Sequence, residues 1–257
     1  MASDSAPPSI DSPFPGVPLT GPLYREVKRA LMEALSAGEW RPGEAIPAER
    51  RLAERYGISI GTVRKAIDEL VAENMLIRQQ GRGTYVASHN RDRLLFYFFH
   101  VVPHDGAKQY PVVRLLAFTR AKADKLASDK LGIPLGDPVL RMRNLLSLSS
   151  TPVIVDDITI SAARFAGLAE PAFRDRPSTV YNLYQEAFGT SVVRTVERLR
   201  ATTADAEFAS LLEVARGAPL LQIRRIALTY NDTPVELRIS HVNTAEHEYW
   251  SELNQQQ

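Results

Sequence analysis

Two groups of arginines in this chain are spaced so that they could hold anions. The first centres on RQQGRGTYVA, where Arg82 stands between Gly81 and Gly83 at the junction of two short apolar runs. Glycines at such a tip let the backbone approach a partner closely. A lone guanidinium carried there suits a narrow, negatively charged groove. Just upstream, Ser59 precedes IGTVRKAIDELVAEN, and its hydroxyl can cap a helix whose first turns present Ile60, Gly61, Thr62, Arg64 and Lys65. The second group is Arg141 and Arg143, two residues apart in an alternating run, so both point to one face of a strand. Two guanidinium forks side by side can hold a carboxylate or a phosphate.

Catalytic patterns are missing. There is no G-x-S-x-G, no P-loop and no H-E-x-x-H. The five histidines (His89, His100, His104, His241, His247) lack metal-ligand spacing, and HVVPH carries a proline between its two. With no cysteine, disulfides and thiolate chemistry are excluded. The reading is therefore of a non-enzyme needing no metal or cofactor.

Elements that would position the first group are legible in order. Leu23, Val27, Leu31 and Leu35 recur every four residues and make one apolar helix face. AERRLAERYG is a short second helix closed by Gly57, with Leu52, Ala53 and Tyr56 on its buried side. A three-residue turn leads to the helix after Ser59, which buries Val63, Ala66, Ile67, Leu70 and Val71. Two helices so joined form a helix-turn-helix, with the second helix's N-terminal end free to meet base edges. MLIRQ and TYVA then make a hairpin, the wing of a winged helix, with Arg82 at its tip.

The remaining two-thirds alternates strands with short helices, an α+β pattern. It opens on the aromatic run RLLFYFFHVV, read as a strand, and it contains an internal echo. Ala127 matches Ala209, Gly136 matches Gly217, Pro138 matches Pro219, Thr151 matches Thr233 and Pro152 matches Pro234. Each unit reads as a helix, a G-x-P entry and a long hairpin with a T-P turn. Two such units suggest a pseudo-twofold antiparallel sheet with a pocket between its halves.

Residues 19–87 resemble the GntR family of bacterial repressors through PLYREVKRAL, RPGEAIPAERRLAERYGIS, TVRKAIDELVAENML and QQGRGTYVA. The resemblance implies that Arg50 and Arg64 touch an operator, that Thr62 binds phosphate, and that Gly81 and Arg82 sit in or near the minor groove. Ile60 stands where the family often has arginine, which implies an altered operator. The second half resembles the UTRA effector domain of the HutC branch, of chorismate-lyase-like fold, through LGDPVLRMRNLL, TPVIVDDITI, STVYNLYQEAFG and TPVELRISHVN. It implies a pocket with Arg141, Arg143, Asp156, Thr179, Tyr181 and Glu236 as effector contacts. Ala117 and Val242 replace residues of phosphosugar-binding relatives, which favours a carboxylate.

The formal net charge is +1, so any nucleic-acid footprint must be a local patch. No apolar run is long enough for a membrane span. The expected organisation is a disordered tail (1–18), a winged helix-turn-helix (19–88), a linker (89–92) and an effector and dimerisation domain (93–257). The expectation is a cytoplasmic homodimer that binds double-stranded operator DNA and a small anionic metabolite. The alternative is a metabolite-binding module of the same fold with incidental DNA contacts or a residual enzymatic activity.

Overall fold

The computed structural model describes residues 22–88, 97–106 and 108–251. The expected tail (1–18), the linker (89–92) and the first four residues of the aromatic run lie outside the described residues. The chain divides into two compact units between Ala87 and Ser88.

In the first unit, α1 (Leu23–Ser36), α2 (Glu49–Tyr56) and α3 (Ile60–Ala72) are followed by the hairpin β1 (Leu76–Gln79) and β2 (Gly83–Val86). Val27, Leu31 and Leu35 of α1 pack with Leu52 and Ala53 of α2 and Val63, Ala66, Ile67 and Leu70 of α3, all buried. The left-handed Gly57 ends α2, and Ser59 caps α3 by accepting from the Thr62 amide. The RPGEAIP connection does more than link. Val86 N–H donates to the Glu44 carbonyl at 2.8 Å and Ile46 N–H to the Thr84 carbonyl at 2.9 Å, so this segment braces β2 from its free side.

The second unit is a six-stranded antiparallel sheet of β4 (Val112–Lys122), β5 (Pro138–Leu148), β6 (Thr151–Ser161), β7 (Arg194–Thr203), β8 (Pro219–Leu228) and β9 (Pro234–Asn243). Its order is β4-β5-β6-β9-β8-β7. A small second sheet pairs β3 (Val101–Pro103) with β10 (His247–Tyr249). Only this end of the aromatic run is therefore a strand among the described residues.

The sequence echo becomes a pseudo-twofold axis. Strands β6 and β9 meet at the centre, and Asp157 faces Ile239 there, two positions the echo itself equates. Helices α4 (Lys125–Leu131) and α7 (Ala206–Leu212) precede β5 and β8 and are capped alike, by Asp124 on Ala127 N–H and by Asp205 on Phe208 N–H. Both cover one face of the sheet, through Ala127, Leu131, Val139 and Leu237 on one side and Val155, Leu212 and Leu220 on the other. The opposite face carries α5 (Glu170–Arg174), α6 (Val180–Phe188) and the buried Phe98, packed on Leu140, Met142, Ile158 and Ile160. Side chains alternate between these faces with period two, so one step along a strand carries a residue from one helical layer to the other.

Candidate nucleic-acid interface and effector cavity

The first unit presents its cations on exposed positions held by weak ion pairs. The Arg50 side chain is 83% exposed and its Nε lies 3.2 Å from Glu54. Arg64 and Arg78 share Glu49, at 2.9 and 3.3 Å, and Arg78 also meets Asp68 at 2.8 Å. Exposed pairs of this kind contribute roughly 0–1 kcal/mol, so a phosphate or a guanine edge can displace the acid at little cost. Lys65 lies over the Tyr24 ring, 4.1 Å from its centre. Ser59 and Thr62 share a 2.8 Å hydroxyl contact at the start of α3, where free backbone N–H groups favour an anion. Ile60 is 42% exposed beside them.

At the wing tip, Arg82 N–H closes the turn on the Gln79 carbonyl at 3.0 Å. Gly81 and Gly83 have φ of 71° and 119°, a backbone that a side chain would strain. The Arg82 guanidinium has no ion pair among the described residues, so it is held out with its charge uncompensated.

In the second unit, a cavity of about 370 Å³ opens between the sheet and the start of α6. Its floor is Asn144 from β5, Asp156 from β6, Arg225 from β8 and Arg238 from β9; Arg176, Ser178, Thr179 and Tyr181 form a wall. Thr179 caps α6 by accepting from Asn182 N–H at 3.1 Å. Arg238 donates to Glu236 at 2.9 and 3.1 Å and to Asp156 at 3.1 Å. Arg225 donates to Glu197 and to the Phe98 carbonyl, and the Tyr249 hydroxyl also donates to Glu197. Burial disfavours the charge on both guanidiniums, but Tyr181 and these acids outweigh it and hold both above the ordinary arginine value. Arg176 differs. Burial pushes its pKa down, the neighbouring Arg238 adds to that, and its Nη1 meets only the Phe173 carbonyl. Among the described residues Arg176 has no carboxylate partner.

The six residues expected to contact an effector do not come together. Asp156, Thr179 and Tyr181 line this cavity. Glu236 lies beneath it, fully buried, and already accepts from Tyr181, Tyr184 and Arg238. Burial and the Glu236 charge push the Tyr181 phenol up to about 12, so it stays a donor. Asp156 is also committed, to the Ser240 hydroxyl and to Arg238. Arg141 and Arg143 point to the opposite face, under α4 and α7, and line a separate cleft there. Arg141 pairs with Asp124 at 2.6 Å; Arg143 pairs with Asp157 and Glu207, both at 2.6 Å. On β5 the polar residue facing the cavity is Asn144, next to Arg143 in the chain: a shift of one position changes the face of a strand. The cavity's cations, Arg176, Arg225 and Arg238, were missed. The echo held the signal, since the offset that equates Pro138 with Pro219 also equates Asn144 with Arg225.

Residues 23–86 match the model of the bacterial regulatory proteins of the gntR family, and residues 107–248 match the UTRA domain. The chain belongs to the GntR family and carries a UTRA domain. The "Probable fructoselysine utilization operon transcriptional repressor" of Escherichia coli (strain K12) is 32% identical over 84% of this chain and 88% of its own length. The histidine utilization repressor of Klebsiella aerogenes is 29% identical over 79% and 83%. The ligand-binding domain of a GntR-family regulator from Bordetella bronchiseptica matches 62% of this chain and 99% of its own, with 32% identity and a TM-score of 0.60. This GntR-family chain is thus a DNA-binding transcription regulator with an effector domain. A stand-alone metabolite-binding module is not favoured, because the match runs through both halves. No helix among the described residues is long and apolar enough to cross a membrane, and they hold no cluster of metal-ligating side chains.

Proposed function

We propose that the chain is a cytoplasmic, non-enzymatic homodimeric repressor whose operator affinity is changed by a small anion bound in the cavity at Arg176 and the start of α6. One observation carries this reading: Arg176 is a largely buried guanidinium in a cavity wall, without a carboxylate in ion-pair contact among the described residues, beside a helix N-terminus. A bound oxyanion would supply the missing countercharge and accept from the free amides of α6. The names of the relatives as repressors support the sign of regulation.

On the DNA side, Arg50, Ser59, Thr62, Arg64, Lys65, Gly81, Arg82 and Gly83 would form the contact surface. Thr62, Ser59 and Lys65 would serve phosphates, Arg50 and Arg64 would read bases, and Arg82 would enter the minor groove between its glycines. Two copies related by a twofold axis would meet two half-sites.

The signal must come from unequal ligand affinity for two states. Arg225 is placed to carry it. It lines the cavity and holds the carbonyl of Phe98, at the beginning of the effector unit and a few residues after the linker in sequence. A ligand that draws Arg225 would loosen Phe98 and, through Glu197 and Tyr249, the β3–β10 pair. Calorimetric titration of inorganic phosphate and small carboxylates into the wild type and Arg176→Gln tests the site. Binding to the wild type that is lost in the variant supports it; equal binding by both removes it.

A further inference from the structure

The cavity floor holds a polar side chain that none of the described residues satisfies. Along β5 the face toward the cavity reads Leu140, Met142, Asn144, Leu146, Leu148, with one amide among apolar residues. Asn144 is 2% exposed and lines the cavity. Its Oδ1 is buried without a hydrogen-bond partner among the described residues. Its neighbours cannot help. The facing residue on β4 is Leu115, and the facing residue on β6, Asp156, is engaged by Ser240 and Arg238. A buried amide left unpaired is destabilising, and an apolar residue of similar size would fit that row without the penalty. The amide gains a purpose when something in the cavity bonds to it.

Resting on the anion-site reading above, we infer that Asn144 is a specificity-determining residue that recognises a hydroxyl on the ligand, so the effector class is a hydroxylated anion. An alcohol both donates and accepts, so it satisfies the amide in either orientation. A plain alkyl chain leaves the amide unpaired beneath it. A site built to bond a hydroxyl rejects the analogue that lacks it far more strongly than an apolar pocket rejects an extra group. The anion itself is carboxylate or phosphate, and the two arms of the test separate them.

The test uses the full-length protein and matched pairs: 2,3,4-trihydroxybutanoate against butanoate, and glycerol phosphate against propyl phosphate. Wild type should bind the hydroxylated member of at least one pair about tenfold or more tightly. Asn144→Leu should reduce that preference to about twofold or less while the deoxy member binds as well as before. Equal binding of both members by wild type overturns the inference, as does a preference that survives Asn144→Leu. The wild-type comparison needs no variant, so a folding defect in Asn144→Leu cannot rescue the idea. Arg176→Gln separates the two layers. If both members bind equally and this variant weakens both, the anion site stands and the role of Asn144 falls; if no member binds wild type, both readings fall.

Discussion

Arg225 and Arg238 stand directly opposite each other on neighbouring strands, and the echo equates them with Asn144 and Asp156, which also stand opposite each other. The two halves of the sheet thus carry the same pair of floor positions with different chemistry: two cations in one half, an amide and an acid in the other. Like charges facing across strands repel. Here Glu197, Glu236 and Asp156 offset them. The second repeat supplies the charge and the first supplies the polar edge, and the cavity spans both.

The Glu197–Arg225 pair is sensitive to a single change, since both side chains are about nine-tenths buried. Glu197→Ala should destabilise the protein by about 3–5 kcal/mol, because it leaves a buried guanidinium facing another. Urea unfolding of both proteins measures this. A loss below about 1 kcal/mol would mean that Arg225 relaxes to solvent.

In the DNA-binding half, Arg64→Ala should cost about 1–3 kcal/mol of discrimination between operator and random DNA. Lys65→Ala should weaken both equally and flatten the salt dependence. Anisotropy titrations at two salt concentrations separate these outcomes. An equal loss for Arg64→Ala on both DNAs would reduce that residue to a phosphate contact.

The cap is tested by urea unfolding alone, and the wing by unfolding together with operator binding. Ser59→Ala should cost about 1 kcal/mol through the loss of the Thr62 amide partner. Gly83→Ala forces a side chain to a φ of 119° and should also destabilise, with an effect on operator binding larger than on global stability.

Acid should weaken the effector unit. Burial holds His100, His241 and His247 below the ordinary value of 6.5. A histidine with a depressed folded pKa binds its proton more readily when unfolded. Its stabilising contribution is therefore full above about pH 6.5 and is lost as pH falls through the folded value. Thermal melts should show a midpoint lower at pH 5.5 than at pH 7.5. His241→Gln should reduce the difference; a flat profile would contradict the burial of these rings.

Helix periodicity and turn chemistry are local signals, so α1 to α3, the Ser59 cap and the Gly81–Arg82–Gly83 tip could be read directly from the sequence. The echo was strong enough to give the pseudo-twofold sheet. The brace of the 41–47 connection on β2 was not visible, because it is a pairing across some forty residues with no pattern of its own. The cavity floor was misread at Arg141 and Arg143 because those positions read as an arginine pair. Strand phase alone says only that they share a face, not which one. The face is fixed by α4 and α7, whose Asp124 and Glu207 draw the two arginines to their side. Arg143→Met should accordingly leave ligand affinity within about twofold, well below the tenfold that 1.4 kcal/mol would give.

The most direct measurement is operator binding by fluorescence anisotropy, using DNA from upstream of this protein's own gene, with and without hydroxylated carboxylates and phosphates, for wild type and Arg176→Gln. Tight, salt-steep binding by both proteins is expected, with one ligand class releasing wild type and leaving Arg176→Gln bound. Release of both proteins by the same ligand at the same concentration would contradict the assignment of Arg176 to the effector site.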